Sequence, residues 1–216
     1  MVNNWEKITS LDGVDFKKQV VLVAKQGEPT MFVGPRERLC EDSPVIKAMV
    51  EGDDATRTQA DPTEIPDPEK GPAPTKLEEG TPVELEDVDG PTLELIMEYM
   101  KTHEARPAPR IPMPLRRPWA DYVTEYQKSY VVGKLVNPAN LVDNVRLFNV
   151  YNAAIFLEFE PLMHLCAAYI ADLIKDKSVS QIRELLHITE RHPPEIEAEM
   201  IKDFKELFPD HAAMFD

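Results

Sequence analysis

The spacing of apolar positions changes along this chain from a period of two to a period of 3.6. The runs "QVVLVAK" and "PTMFVG", rich in β-branched residues and separated by "QGE", predict a β-hairpin around a glycine turn. Pro29 opens the second strand, where a missing ladder N–H is tolerable. "SPVIKAMV" predicts a short helix with Ser43 as N-cap and Pro44 at the first helical position. "PVELEDV" reads as a third strand. Asp89 then caps a helix carrying Leu93, Ile96, Met97 and Met100 on one face. The first piece is therefore strand, strand, helix, loop, strand, helix.

Beyond Trp119 the pattern is helical throughout. "WADYVTEYQKSYVV" predicts a helix bearing Trp119, Tyr122, Tyr126 and Tyr130, and "NLVDNVRLFNVYNAAIFL" places Leu141, Val145, Phe148, Asn152 and Ile155 along one side. Leu162, Leu165, Cys166, Tyr169, Ile170, Leu173 and Ile174 follow at helical spacing, with Pro161 suited to the first turn. "SVSQ" is a capping box. Ser178 accepts from the backbone N–H of Gln181, and Gln181 reaches back to the N–H of Ser178. Ile182, Leu185 and Leu186 form the next apolar face. Ile196, Met200, Phe204 and Leu207 form the last one. Stripes of this kind serve either a core or a partner groove, and spacing alone favours the core.

Composition divides the chain. Its 216 residues and 43% apolar content allow one large or two small domains. Glu51–Gly90 holds 13 acidic and three basic residues, a net of −10 within a total of −15, together with six prolines. Residues 51–81 within it predict a flexible acidic loop that cannot bury enough surface to offset its ordering entropy. "RPAPRIPMPLRRP" has five prolines, four arginines and no acid, and predicts an extended basic connector. The expected organisation is an extension over 1–19 and an α/β domain over 20–104. A linker over 105–118 and a helical region over 119–216 follow.

The same charge argues against nucleic acid and anionic membranes as partners. No apolar run is long enough to predict a membrane span, and "MVNNWEKITS" lacks the apolar core of a secretory signal. Two cysteines, Cys40 and Cys166, make no disulfide framework and fit a reducing cytoplasmic or nuclear compartment. His164 and Cys166 point apart on a helix, and no set of four ligands has zinc spacing. No phosphate-binding loop or activated nucleophile is legible, so neither a cofactor nor enzymatic activity is expected.

One resemblance gives these elements a meaning. "FNVYNAAIFLEFEPLMHLCAAYIADLIKDKSVSQIRELLHI" resembles the S-phase kinase-associated adaptor family, and "VVLVAKQGEPTMFV", "LCEDSPVIKAMVE" and "TPVELEDVDGPTLELIMEYMKTHEA" agree in order. The resemblance implies an α+β fold, a BTB/POZ domain with a C-terminal helical extension. It implies a non-catalytic adaptor whose C-terminal helices bind F-box or F-box-like proteins and whose POZ part docks on a cullin ubiquitin ligase. The implied receptor surface is Leu173, Ile182, Leu185, Leu186, Ile196, Met200 and Phe204. Ile155 and Phe156 stand where the family commonly has Asn-Tyr, at the cullin-facing end of the long helix. The alternative expectation is an architectural subunit of a large ciliary, cytoskeletal or kinetochore-type assembly without ubiquitin transfer.

Overall fold

The computed structural model describes residues 5–52, 77–78, 80–105, 109–137, 143–188 and 193–208. Most of the acidic loop, Leu141 and the last eight residues lie outside them. Strands β1 (Glu6–Ile8), β2 (Gln19–Gln26) and β3 (Thr30–Pro35) precede helices α1 (Arg36–Asp42) and α2 (Pro44–Glu51). Strand β4 (Val83–Asp89) and helix α3 (Gly90–Ala105) follow. Then come a 3₁₀ turn (Trp119–Asp121), α4 (Glu125–Tyr130) and a π-helical turn (Val131–Leu135). Helices α5 (Val145–Phe156), α6 (Glu160–Ile174), α7 (Val179–Leu185) and α8 (Pro194–Leu207) complete the described chain.

The predicted hairpin forms with Val21 opposite Val33 and Leu22 opposite Phe32, and Gly27 supplies the positive φ of its turn. Strand β4 joins the far side of β2 in parallel, as a strand reached through the α1–α2 crossover can. The sheet order is β1-β3-β2-β4. Val20 to Ala24 of β2 are all buried, the pattern of a strand covered on both faces. Helices α1 and α3 pack on β2 and β3, and α2 packs on β4.

The extension over 1–19 contributes an element that was not expected. Glu6–Ile8 adds to β3 as an antiparallel strand. Ile8, Val14 and Phe16 then cover the face formed by Val21, Val23 and Val33. Trp5 is buried and donates its indole N–H to Glu104 at 2.8 Å. Gly34 makes room for that ring, because a Cβ there would stand 3.1 Å from Trp5 and 3.0 Å from Leu39.

Two compact units result. One comprises Met1–Arg110 with Phe148–His164, and the other Ile111–Leu147 with Leu165–Asp216. Residues 148–164, assigned to the helical region by sequence, thus group with the sheet. In that first unit Ser43 caps α2 by accepting from the Ile46 N–H at 3.2 Å, and its hydroxyl donates to the Leu157 carbonyl at 2.5 Å. Asp89 caps α3 by accepting from the Thr92 N–H at 2.7 Å. The arrangement is the expected α+β, POZ-type one with helices following the sheet.

Two sequence readings are corrected. The helix expected across residues 119–132 is broken, because Thr124 and Gln127 form a capping box that starts α4 afresh. On α5 the buried face is Leu147, Val150, Ala153 and Ala154, while Val145 and Ile155 are exposed. The apolar residues chosen from spacing lay largely on the other side.

One buried charge sets a pH response in the first unit. Asp42 has a side chain only 8% exposed and pairs with Arg38 at 2.9 Å, yet its second carboxylate oxygen has no hydrogen-bond partner. Burial pushes its pKa up to about 6, although Arg38 pulls the other way. The folded state therefore favours the protonated form, so stability is lost as pH rises through about 6 and gained as it falls. Compared with Asp42→Asn, the natural chain should gain stability of order 1 kcal/mol between about pH 7.5 and pH 5. Urea unfolding of both chains at the two pH values checks this.

Candidate functional site

The site expected from sequence is built on α6, α7 and α8. Helix α6 buries Leu162, Leu165, Cys166, Ala168 and Tyr169, so the first half of its stripe is core. In the second unit the Trp119 and Tyr169 rings meet edge to face with centroids 5.0 Å apart. The capping box at Ser178 is present as read, with Gln181 N–H to Ser178 Oγ at 3.4 Å and Ser178 N–H to Gln181 Oε1 at 3.0 Å. It fixes where α7 starts.

The end of α7 is held by Asn144, whose side chain is fully buried. Its amide donates to the Leu185 carbonyl at 2.7 Å, and its oxygen lies 3.1 Å from His187 Nε2. His187 takes the left-handed conformation, φ 55°. Its N–H donates to the Glu184 carbonyl and that of Ile188 to the Arg183 carbonyl, the paired bonds of a Schellman stop. Glycine usually fills that position; here the contact with Asn144 offsets part of the cost of a larger residue. Asn144 was missed by sequence reading. Its signal is a polar residue directly before the first helical position.

Helix α8 is tied to α7 by Arg183 and Glu197 at 2.7 Å. Its apolar stripe is open. Ile196 is 48% and Met200 54% exposed, and Leu207 and Phe208 are exposed as well. Phe204 is half-buried, its ring 5.0 Å from that of Phe208. Leu173, Ile182 and Leu186 are half-buried. Leu185 is different: at 5% exposure, with its carbonyl bonded to Asn144, it belongs to the core of this unit. It is not a free anchor, because α7 turns it inward. Ile155 and Phe156 lie in the first unit, on the exposed side of α5.

The chemistry available is that of surfaces. Burial pushes the Cys166 thiol up to about 12 and the Cys40 thiol up to about 11, so neither offers a thiolate near neutral pH. Among the described residues no group of three or more His, Cys, Asp or Glu side chains is placed to hold a metal ion. No helix among them is long and apolar enough to cross a membrane.

Helices of this order, with an α+β unit before them, define a class of POZ-type proteins with a helical extension. Residues 160–207 match the Skp1 family, dimerisation domain. The chain is 30% identical over 120 residues to SKP1-like protein 17 of Arabidopsis thaliana, covering 56% of this chain and 68% of that one. It is 29% identical over 124 residues to SKP1-like protein 18 of the same plant, covering 57% and 72%. It is 25% identical over 126 residues to the SCF ubiquitin ligase complex protein SKP1a of Dictyostelium discoideum, covering 58% and 72%. The chain belongs to the Skp1 family, as a divergent member.

The two kinds of position are separable by stability. Leu185→Ala should cost about 2–4 kcal/mol, as a buried truncation does. Met200→Ala should stay within about 0.5 kcal/mol. Chemical unfolding of the two variants measures both, and a Leu185→Ala loss as small as that of Met200→Ala would return Leu185 to the exposed set.

Proposed function

We propose that this chain is a non-catalytic adaptor whose C-terminal helices hold F-box-type motifs and whose first unit links them to a cullin ubiquitin ligase. The observation that carries the reading is the open apolar stripe of α8, from Ile196 through Met200 to Leu207, within the segment that matches the family. A side chain of this size gains about 1.5–3 kcal/mol when fully buried, so two or three such anchors supply most of a helix-in-groove interface. Leu173, Ile182, Leu186 and Phe204 are half-buried, so part of each side chain is already packed and part is left for a partner. The name of the Dictyostelium relative, a protein of an SCF ubiquitin ligase complex, points the same way.

Ile155 and Phe156 are the residues proposed to face the cullin. Both are exposed and apolar, so the surface would bind through burial rather than through polar pairing. An adaptor needs no reacting group, and its work is to hold two partners at once.

The test is recovery of F-box-motif proteins and a cullin on the full chain, compared with the Ile196→Asp/Met200→Asp double variant. Because both positions are exposed, melting should not change. Burying the new charges against a partner should weaken F-box binding at least about 30-fold. Undiminished binding by the double variant would contradict the assignment of α8. Recovery of a stable complex without any cullin would contradict the ligase link.

A further inference from the structure

Strand β4 is the last strand of its sheet, so among the described residues its side away from β2 has no strand partner. A cleft of about 600 Å³ is lined by the unbroken run Glu84–Asp89 and by Asn149, Asn152, Ala153 and Phe156 of α5, with Gln26 of β2, Met49 of α2 and Thr92 of α3 completing it. The α5 residues fall at i, i+3, i+4 and i+7, which is one face. All of these residues belong to the first unit.

Both walls have the chemistry of a peptide receptor. The outer edge of a terminal strand presents backbone N–H and C=O groups at alternate residues, a template for one more strand. Asn149 and Asn152 are exposed, and each amide carries both donors and an acceptor, which matches a peptide group. Phe156, 52% exposed, supplies an apolar surface at the same cleft. A helical partner would satisfy its own backbone and leave the strand edge unused. An extended one would not.

Charge selects among extended partners. The pairing of β2 with β4 shifts register between Ala24 and Gln26, and Glu86 and Asp87 stand exposed in succession at that irregularity. Glu84 is paired with Lys25 at 2.7 Å, and Asp89 is engaged with the Thr92 N–H. Glu86 and Asp87 make no salt bridge among the described residues, in a chain of net charge −15.

We propose that this cleft receives an extended, basic segment of a partner protein, which adds as a strand to the free edge of β4. A Lys or Arg of that segment lies against Glu86 and Asp87, and an apolar side chain lies against Phe156. The inference is independent of the F-box reading of α8, which belongs to the other unit, but it shares Phe156 with the surface proposed above to face the cullin, so the extended segment and a cullin would compete for that side chain.

The experiment uses the full chain and a fluorescent peptide of alternating Lys and Val, as long as β4. A second peptide has the same sequence with alternate backbone amides N-methylated, and a third alternates Glu and Val. Anisotropy titration at low salt should show binding of the first peptide only. N-methylation keeps charge and side chains but removes the ladder donors, and should weaken binding at least about tenfold. Phe156→Ala should weaken it about fivefold or more, and Glu86→Gln/Asp87→Asn should weaken it and reduce its salt dependence. Amide exchange in Glu84–Asp89 should slow when the first peptide binds. Equal binding of the methylated peptide would mean attraction to an acidic surface only and would overturn the proposal. So would binding without protection of β4, or no binding of the Lys-Val peptide at all.

Discussion

The turn from Leu157 to Phe159 is the constraint on which the first unit depends. The Ser43 hydroxyl is fully buried, caps α2 and donates to the Leu157 carbonyl, so one side chain joins two parts of the sequence 114 residues apart. Glu158 takes a left-handed conformation, φ 51°, and the Glu158 and Phe159 N–H groups bond back to Ile155 and Ala154. Helix α5 is thereby ended, and Phe159 is buried with its ring edge-on to Tyr99 at 5.9 Å. Removing the Ser43 hydroxyl would leave buried backbone groups without partners, a cost larger than the bond itself. With α5 fixed in this way, Ala153, Ala154 and Leu157 are buried, and Asn149, Asn152, Ile155 and Phe156 are left exposed. The cullin-facing surface proposed above is among what this turn leaves outside.

How much of this was legible depended on whether the signal was local. The caps at Ser43, Asp89 and Ser178, and Pro44 at its helix start, were readable because each is settled by residues within four positions of one another, and the hairpin because two alternating runs flank one short glycine turn. The order of elements and the family resemblance then gave the fold class. Faces were harder. Helix α5 has apolar residues on both sides, with Val145, Phe148 and Ile155 against Leu147, Val150 and Ala154, so periodicity admitted either choice. The chain carries apolar residues on the exposed side where a purely solvated helix would carry charge, and that mixed pattern is what hid the buried face.

Other misses have different causes. Strand β1 is three residues, "EKI", with one apolar side chain, too short for any period to show. Its stability comes from β3, which no local rule reveals. The aromatic spacing from Trp119 to Tyr130 suits one helix, but the Thr124–Gln127 capping box prevails, since two satisfied N–H groups outweigh continued helical propensity. Leu185 was read as an anchor because it shares spacing with Ile182 and Leu186. Its side chain is buried in the fold, and the Asn144 amide that holds its carbonyl lies 41 residues earlier in the chain, so no local rule reveals either.

The candidate receptor surface is then a matter of what remains uncovered. In a chain with 29% charged residues, α8 nevertheless exposes Ile196, Met200 and Leu207, and Phe208 just after it is exposed as well. Apolar positions repeated at helical spacing on an exposed helix are what the proposed helix-in-groove contact requires. The most direct measurement is backbone amide exchange over Pro194–Leu207 in the free chain and with a saturating F-box-motif protein. Protection along α8 is expected to rise on binding, while β2 and β3 exchange as before. Exchange in α8 that is the same in both states, with the F-box protein bound, would contradict the assignment of this helix as the receptor surface.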